Sequence, residues 1–374
     1  MLFRFFKMKY FFRKPKKCKI LVYDKQSISF ARILFEKRNL SVFDKRYESI
    51  NLYVLFLTLI NFRFKNFKDL YKRIYFNFVS PDIIYTSIYN DLSFFKLKAI
   101  YPDAEYIADQ NGLRDPDFIK SLKKSSINKN LKIDHFFVFS KHDENILSKY
   151  IKCKYYVAGK TDNNSIRRQI KPHSKNSKKK ILFISGKMPD RSKINYIESQ
   201  KLIFCRLIEI CKIKKIKLFF KEKKSFFKHN TKLEYSSTDK RKSFYQNHFG
   251  SKSWYFIPYS YNHKKKYNLL HKFNFVILQD STLGYELLSK GVKILCLTNK
   301  FPVLGLDINF NKKREGLFWT NKTDLLSITK KINNIINMPS DNWRKVASNF
   351  SKKILSFDNN NLKKKDILYK ILIR

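Results

Sequence analysis

The chain of 374 residues is poor in cysteine (five), glycine (eight) and acid (30 Asp and Glu), and it has no long apolar run. Cys18, Cys153, Cys205, Cys211 and Cys296 form no CxxC pair, and most sit in apolar runs. They read as reduced, buried thiols of a cytosolic protein, which argues against a zinc site or a disulfide frame. Seven scattered histidines show no HExxH spacing, so no bound metal is expected. The longest apolar run, Leu52 to Ile60, is far too short to span a bilayer. Residues 1–13 lack the continuous apolar core and the small-residue cleavage site of a secretory signal. They interleave aromatic rings with cations, which fits an anionic membrane face, or equally an ordinary terminal helix or a frayed tail.

The few acids stand against 79 Lys and Arg, giving a formal net charge of +49. Such a balance points to nucleic acid, anionic lipid or an anionic substrate. The cations are spread along the whole chain, however, and Lys, Asn, Ile and Phe are abundant together while glycine is scarce. That pattern fits drift in an AT-rich genome. Nucleic acid is therefore not expected as a partner, whereas an anionic inner membrane surface is. With 43% hydrophobic and 16% aromatic residues, the chain holds enough apolar material for two cores of ordinary size.

Short apolar runs alternate with helical spacings from Lys19 to Ala158, and again from Ile181 onward. This alternation predicts an α/β protein with two Rossmann-like parallel-sheet domains facing across a cleft. The expected divisions are a basic aromatic segment (1–17), an N-terminal domain (18–165), a polar linker (166–179), a C-terminal domain (180–340) and closing helices (341–374). Residues 223–251 are polar and read as irregular, and Tyr267 to Lys272 as a short helix. The run Lys363 to Lys365 reads as a solvated helix face. Ligands bind such sheets beyond the strand carboxyl ends. Polar clusters fall there: Asp24 to Ser27, Tyr89 to Asp91, Asp109 to Gly112, Gly159 to Thr161, Ser185 to Lys187 and Asp280 to Thr282.

The most informative stretch is Asp280-Ser-Thr-Leu-Gly-Tyr-Glu286. It joins a strand candidate, Phe273 to Leu278, to a helix candidate, Leu283 to Lys290. A helix start offers unpaired N–H groups and a positive dipole end, which suit a phosphate, and Glu286 one turn inside would accept from sugar hydroxyls. A plain capped helix with Glu286 in solvent explains the same residues. Ser185 and Gly186 fall on a sharp turn that suits close approach to phosphates, with Lys187 neutralising one, or else a tight turn and nothing more. Phe318-Trp319-Thr320-Asn321 offers rings for stacking and an amide for a polar edge, or else an aromatic plug that packs the domain. Asp24, Asp91 and Asp109 are candidate general bases, and each is also a natural turn or cap residue.

The order of these clusters resembles a bacterial family of surface-carbohydrate, or O-antigen, biosynthesis proteins that look like GT-B glycosyltransferases. The likeness rests on Val22-Tyr-Asp24, Arg46 to Leu52, Gln110-Asn-Gly-Leu-Arg114, Val138-Phe139, Tyr150-Ile151, Ala158-Gly159 and Asn163-Asn164. It rests most of all on Ser281 to Glu286 and on Glu315 to Asn321. It implies that the C-terminal domain grips a nucleotide-sugar donor without metal, through Asp280, Ser281, Thr282 and Glu286. Asn90, Gln110, Asn111, Gly112, Arg114, Trp319 and Asn321 would then line the cleft or the acceptor side, with Arg114 meeting an anionic, lipid-linked glycan. The nucleotide-sugar is a substrate and no bound cofactor is implied. The place of work is cytoplasmic, peripheral on the inner face of the membrane. The chain departs from the family at Tyr89, where an acid is expected before Asn90, at Leu317 for a proline, and at Lys160 for a serine. Transfer of a polyol phosphate, as in teichoic-acid polymerases, fits the same motif. A basic nucleic-acid-binding protein and a non-catalytic scaffold are the readings of other classes.

Overall fold

The computed structural model of the protein describes residues 8–36, 38–45, 49–62, 66–114, 116–126, 131–166, 180–185, 194–222, 237–250, 252–258, 272–273, 275–279, 281–297 and 315–373. The chain divides into two compact units, Met1–Arg167 with Ser356–Arg374, and Arg168–Leu355.

In the first unit the described elements run β1 (Lys9–Phe11), β2 (Ile20–Tyr23), α1 (Ile28–Phe35), β3 (Leu40–Phe43), β4 (Ser49–Asn51), α2 (Leu52–Ile60), α3 (Phe67–Val79), β5 (Ile83–Thr86), β6 (Glu105–Asp109), α4 (Pro116–Ser126), β7 (Lys132–Val138), α5 (Lys141–Leu147), β8 (Lys152–Val157) and α6 (Thr161–Asn164). Six strands form a parallel sheet in the order β3-β2-β5-β6-β7-β8. Strands of a helix-covered parallel sheet are apolar on both faces, which is why β2 (Ile-Leu-Val-Tyr) and β5 (Ile-Ile-Tyr-Thr) are buried throughout. The period of two divides them between two cores. Leu21, Tyr23, Ile84, Tyr106 and Phe136 enter one, and Ile20, Val22, Ile83, Tyr85 and Phe137 enter the other.

The second unit runs β9 (Lys180–Ile184), α7 (Ile194–Ile213), β10 (Lys217–Lys221), α8 (Thr238–Phe249), β11 (Tyr255–Ile257), β12 (Phe275–Leu278), α9 (Thr282–Leu288), β13 (Lys293–Leu297), β14 (Trp319–Thr320), α10 (Leu325–Asn337) and α11 (Ser340–Ile354). Its six strands are parallel in the order β11-β10-β9-β12-β13-β14. Counted within the unit this is 3-2-1-4-5-6, the doubly wound dinucleotide-binding order. Phe183, Phe204, Phe220 and Trp254 form an aromatic centre on one face, with Phe204 ring centroids 5.1 Å from Phe220 and 5.5 Å from Trp254.

The stretch 341–374, expected as one block, is divided. Helix α11 stays with the second unit, while residues 356–374 are counted in the first. That return ends in α12 (Leu362–Leu372), whose Leu368 packs in the core with Ile20 and Val22. Lys363 to Lys365 is not a uniformly solvated face. Lys363 is exposed, but Lys364 is fully buried and pairs with Asp109 at 2.6 Å, because the helix repeat turns position 364 inward along with Leu368. Asn361 reinforces the seat. Its Nδ2 donates to Thr161 O at 2.9 Å, and its Oδ1 accepts from Asn164 Nδ2 at 3.0 Å. Gly159 makes the return possible. Its φ is +62°, and a Cβ there would lie 2.0 Å from Ser356 O. Gly159→Ala is therefore expected to destabilise the first unit by more than the ~1 kcal/mol of an ordinary backbone penalty, since strain and overlap add. Urea unfolding measures it, and a loss below that figure would show that the backbone can yield.

Two further expectations are corrected. Residues 9–11 are a strand paired in parallel with β4, not a terminal helix or a frayed tail, because Tyr10 and Phe11 favour extended backbone and β4 supplies the ladder for it. The stretch read as irregular contains α8, which starts at Ser237, whose Oγ accepts from Lys240 N, and ends at Gly250 in the left-handed region. It escaped notice because it buries only Tyr245 and Phe249. Helix α4 was not foreseen either. The short helix expected at Tyr267 to Lys272 falls almost wholly outside the described residues.

Candidate functional site

Ser185 follows β9 and Gln279 follows β12. These strands are neighbours: Ile184 is in register with Leu278, and Gln279 N–H donates to Ile184 O at 3.5 Å. In a 3-2-1-4-5-6 sheet this is the switch point, where crossovers leave for opposite faces and open a crevice beyond the strand ends. Both side chains are fully buried. Among the described residues, Ser185 Oγ and both amide atoms of Gln279 have no hydrogen-bond partner. Native proteins leave few buried polar atoms in that state.

Helix α9 starts beside these groups. Ser281 holds the N-cap position in extended backbone, but its hydroxyl makes no cap bond to the helix. The plain capped-helix explanation therefore does not account for it. Thr282 is half-buried, and Glu286 is 1% exposed rather than in solvent. Gly284 sets the distance: a Cβ there would lie 2.2 Å from Leu278 Cδ1. The motif needs glycine so that the first turn can lie against the end of β12. On the other side of β9, Lys221 is in register with Ile184, and its Nζ lies 3.5 Å from Pro258 O. Glu222 follows it and meets Arg241 at 3.4 Å. Gly186, Lys187 and Asp280 lie outside the described residues. Trp319 is buried with Phe318 against Phe350, at 6.0 and 4.8 Å between ring centroids, which is the arrangement of an aromatic plug. Asn321 next to it is half-exposed.

In the first unit the strand ends separate the three candidate acids. Asp24, at the end of β2, has φ +87° and ψ +122°, a strained geometry for a non-glycine residue, and its Oδ1 accepts from Gln26 N at 2.8 Å. Next to it Ser27 Oγ accepts from Ser87 N at 2.8 Å and lies 3.4 Å from Thr86 Oγ1, so β2 and β5 are tied at this unit's own switch point. Asp91 accepts from Ser93 N and Oγ and is ion-paired with Lys45. Asp109 is fully buried. Lys364 and Thr161 donate to it, and Tyr85 O–H donates to its Oδ2 at 3.0 Å. That environment is a lock inside the fold, with no exposed carboxylate oxygen for an acceptor.

Arg114 is held by two of the expected residues and by Tyr89. Its Nη2 donates to Asn111 Oδ1 at 2.6 Å and to Asn90 Oδ1 at 3.4 Å. Its guanidinium lies 4.3 Å from the centroid of the Tyr89 ring, whose O–H donates to Gly112 O at 3.0 Å. The family departure at Tyr89 thus supplies a cation–π floor for the arginine. Gln110 is a buried strut. Its Oε1 accepts from Phe139 N at 2.8 Å, and its Nε2 donates to Asp143 at 3.1 Å. Burial raises the Asp143 carboxyl to about 6, against the pull of its bonds to Ser140 and Gln110.

Sequence reasoning missed Gln279, Lys221 and Lys364. Gln279 and Lys221 each end an apolar strand run, and that position was their signal, whereas Lys364 sits within a run of three lysines and carried none.

Solved structures similar to the chain share its fold. The UDP-GlcNAc 2-epimerase from Neisseria meningitidis bound to UDP-GlcNAc is 14% identical with TM-score 0.51, covering 98% of this chain and 100% of that one. The alpha,alpha-trehalose 6-phosphate synthase from Burkholderia multivorans is 8% identical with TM-score 0.52, covering 96% and 97%. The wall teichoic acid polymerase TagF is 11% identical with TM-score 0.52, covering 96% and 90%. The fold is α/β, with two Rossmann-like parallel sheets of the GT-B kind. No curated protein matches the chain in sequence. Residues 107–372, well over half of the chain, match the family model described as "putative O-antigen biosynthesis protein", and the chain belongs to that family.

Proposed function

We propose that the protein is a glycosyltransferase that moves a sugar from a nucleotide-sugar to a lipid-linked glycan of the O-antigen kind, at the inner face of an anionic membrane. The observation that carries this reading is the switch point of the second unit. Ser185 and Gln279 end neighbouring strands there, Ser281 and Thr282 start α9 just beyond, and among the described residues three buried polar atoms of Ser185 and Gln279 have no partner. A nucleoside diphosphate supplies what Ser185 and Gln279 lack, polar atoms to bond, and its phosphate oxygens also suit the N–H groups at the start of α9, with Glu286 one turn further in to accept from ribose hydroxyls. No metal is needed in this arrangement. In the first unit Asp24 is the best-placed base, since it stands at a switch point while Asp109 is locked and Asp91 caps a turn. Arg114, fixed by Asn90, Asn111 and Tyr89, would meet the acceptor's phosphate.

Thermal unfolding across UDP, GDP, CDP and their sugars tests the reading. A ligand at a hundredfold its Kd adds about 2.7 kcal/mol of stability. At least one nucleotide is expected to raise the melting temperature, and Glu286→Ala to lose most of that rise. Stabilisation by CDP alone would favour polyol-phosphate transfer. No rise with any nucleotide, together with tight, salt-sensitive DNA binding, would overturn the proposal.

A further inference from the structure

Helix α2 has no charged residue in Leu-Tyr-Val-Leu-Phe-Leu-Thr-Leu-Ile, although only one side of it is buried. Val54 and Thr58 are fully buried, while Phe56, Leu59 and Ile60 are 57%, 60% and 64% exposed. These three stand at i, i+3 and i+4, so they form one outward stripe where a helix on a globular domain ordinarily carries polar groups. Phe12, 74% exposed, extends the stripe. Its ring packs edge-on to Tyr53 at 6.4 Å, one turn before Phe56. Beside this face a cavity of about 370 Å³ opens between β1 and the β3–α3 side. Arg13, Lys14, Lys16, Asn51, Tyr71 and Tyr75 are among its lining, which includes one acid, Asp44. The three cations are exposed, and among the described residues none of them is ion-paired.

We propose that this face docks on an anionic phospholipid bilayer. Phe12, Phe56, Leu59 and Ile60 enter the boundary between headgroups and acyl chains, and the cavity of Arg13, Lys14 and Lys16 takes the phosphate of one headgroup. Bulky apolar groups ringed by exposed cations complement an anionic leaflet in both chemistry and charge. Among the described residues no helix is long and apolar enough to cross a membrane, so α2 lies in the interface. The inference rests on the membrane part of the proposed function and not on its donor chemistry.

Sedimentation of the full chain with phosphatidylcholine vesicles, with and without phosphatidylglycerol, tests it. The protein is expected to bind only the anionic vesicles, and inorganic phosphate is expected not to displace it. Each cation near such a surface is worth roughly fivefold in partition. The triple change Arg13→Gln, Lys14→Gln, Lys16→Gln should therefore reduce binding at least tenfold, and Phe56→Ser, Leu59→Ser, Ile60→Ser should do the same. Nucleotide-dependent melting should be unchanged in both, which separates failure here from failure of the donor site. A dye on Ile60→Cys should shift to the blue with anionic vesicles, and this readout does not depend on either triple variant folding. Equal binding to neutral vesicles, displacement by phosphate, wild-type binding by the serine variant, or an unshifted dye would each overturn the proposal.

Discussion

Lys364→Ala is expected to lower the unfolding free energy of the first unit by about 3–5 kcal/mol, the usual cost of removing one partner from a buried ion pair. Lys364 Nζ lies 2.6 Å from Asp109 Oδ1 and 2.8 Å from Thr161 Oγ1, and both charged side chains are wholly out of solvent. Burial pushes the ammonium below its ordinary pKa and Asp109 pulls it back most, with smaller help from Asp358 and Asp162. Without the lysine, Asp109 is left as a buried carboxylate with no cation beside it. Lys365→Ala is the internal control. Its partner Glu36 is exposed, and an exposed pair contributes at most about 1 kcal/mol. The double change Lys364→Met with Asp109→Leu should recover most of the loss, because apolar replacement of a whole buried pair is often neutral. Urea unfolding of the three variants decides. A loss below about 1 kcal/mol for Lys364→Ala would mean that water or another group already shares the charge. Protease sensitivity of residues 356–373 should rise in parallel, because α12 is held at this point.

The same pair shows where sequence reading stops. The strands Ile20–Tyr23, Lys180–Ile184 and Phe275–Leu278 were legible to within two residues, because a strand buried on both faces must be apolar from end to end. Their lateral order was not legible, since every strand looks alike along the chain. Lys364 and Asp109 stand 255 residues apart, and nothing local distinguishes Lys364 from the lysines on either side. Asp109 was read as a base from its place at a strand end, which is correct as a location and silent about what the return segment brings to it. The motif around Ser281 was legible as a helix start, whereas the need for glycine at 284 depends on the Leu278 side chain and emerges only in three dimensions. The stripe on α2 was visible as an apolar run, but a run does not say which of its sides is covered.

Gln279→Met is expected to act in opposite directions on stability and on binding. An amide buried without partners costs about 1–3 kcal/mol, and methionine fills a similar volume with no polar atom to satisfy. The ligand-free protein should therefore become more stable by about that amount. If a nucleotide diphosphate is what the amide meets, the same variant should lose most of the nucleotide-dependent rise in melting temperature. Gln200→Met supplies the comparison. Gln200 is also buried with an unpartnered Nε2, but it lies within α7 and not at a strand end. It should stabilise the protein and leave the nucleotide response intact. The contrast matters because stabilisation alone would follow from any buried orphan, while loss of the nucleotide response follows only from one that faces the ligand. Gln279→Met that is less stable than wild type, with its nucleotide response unchanged, would make the amide a structural group and leave the nucleotide reading to rest on Ser185 and the start of α9.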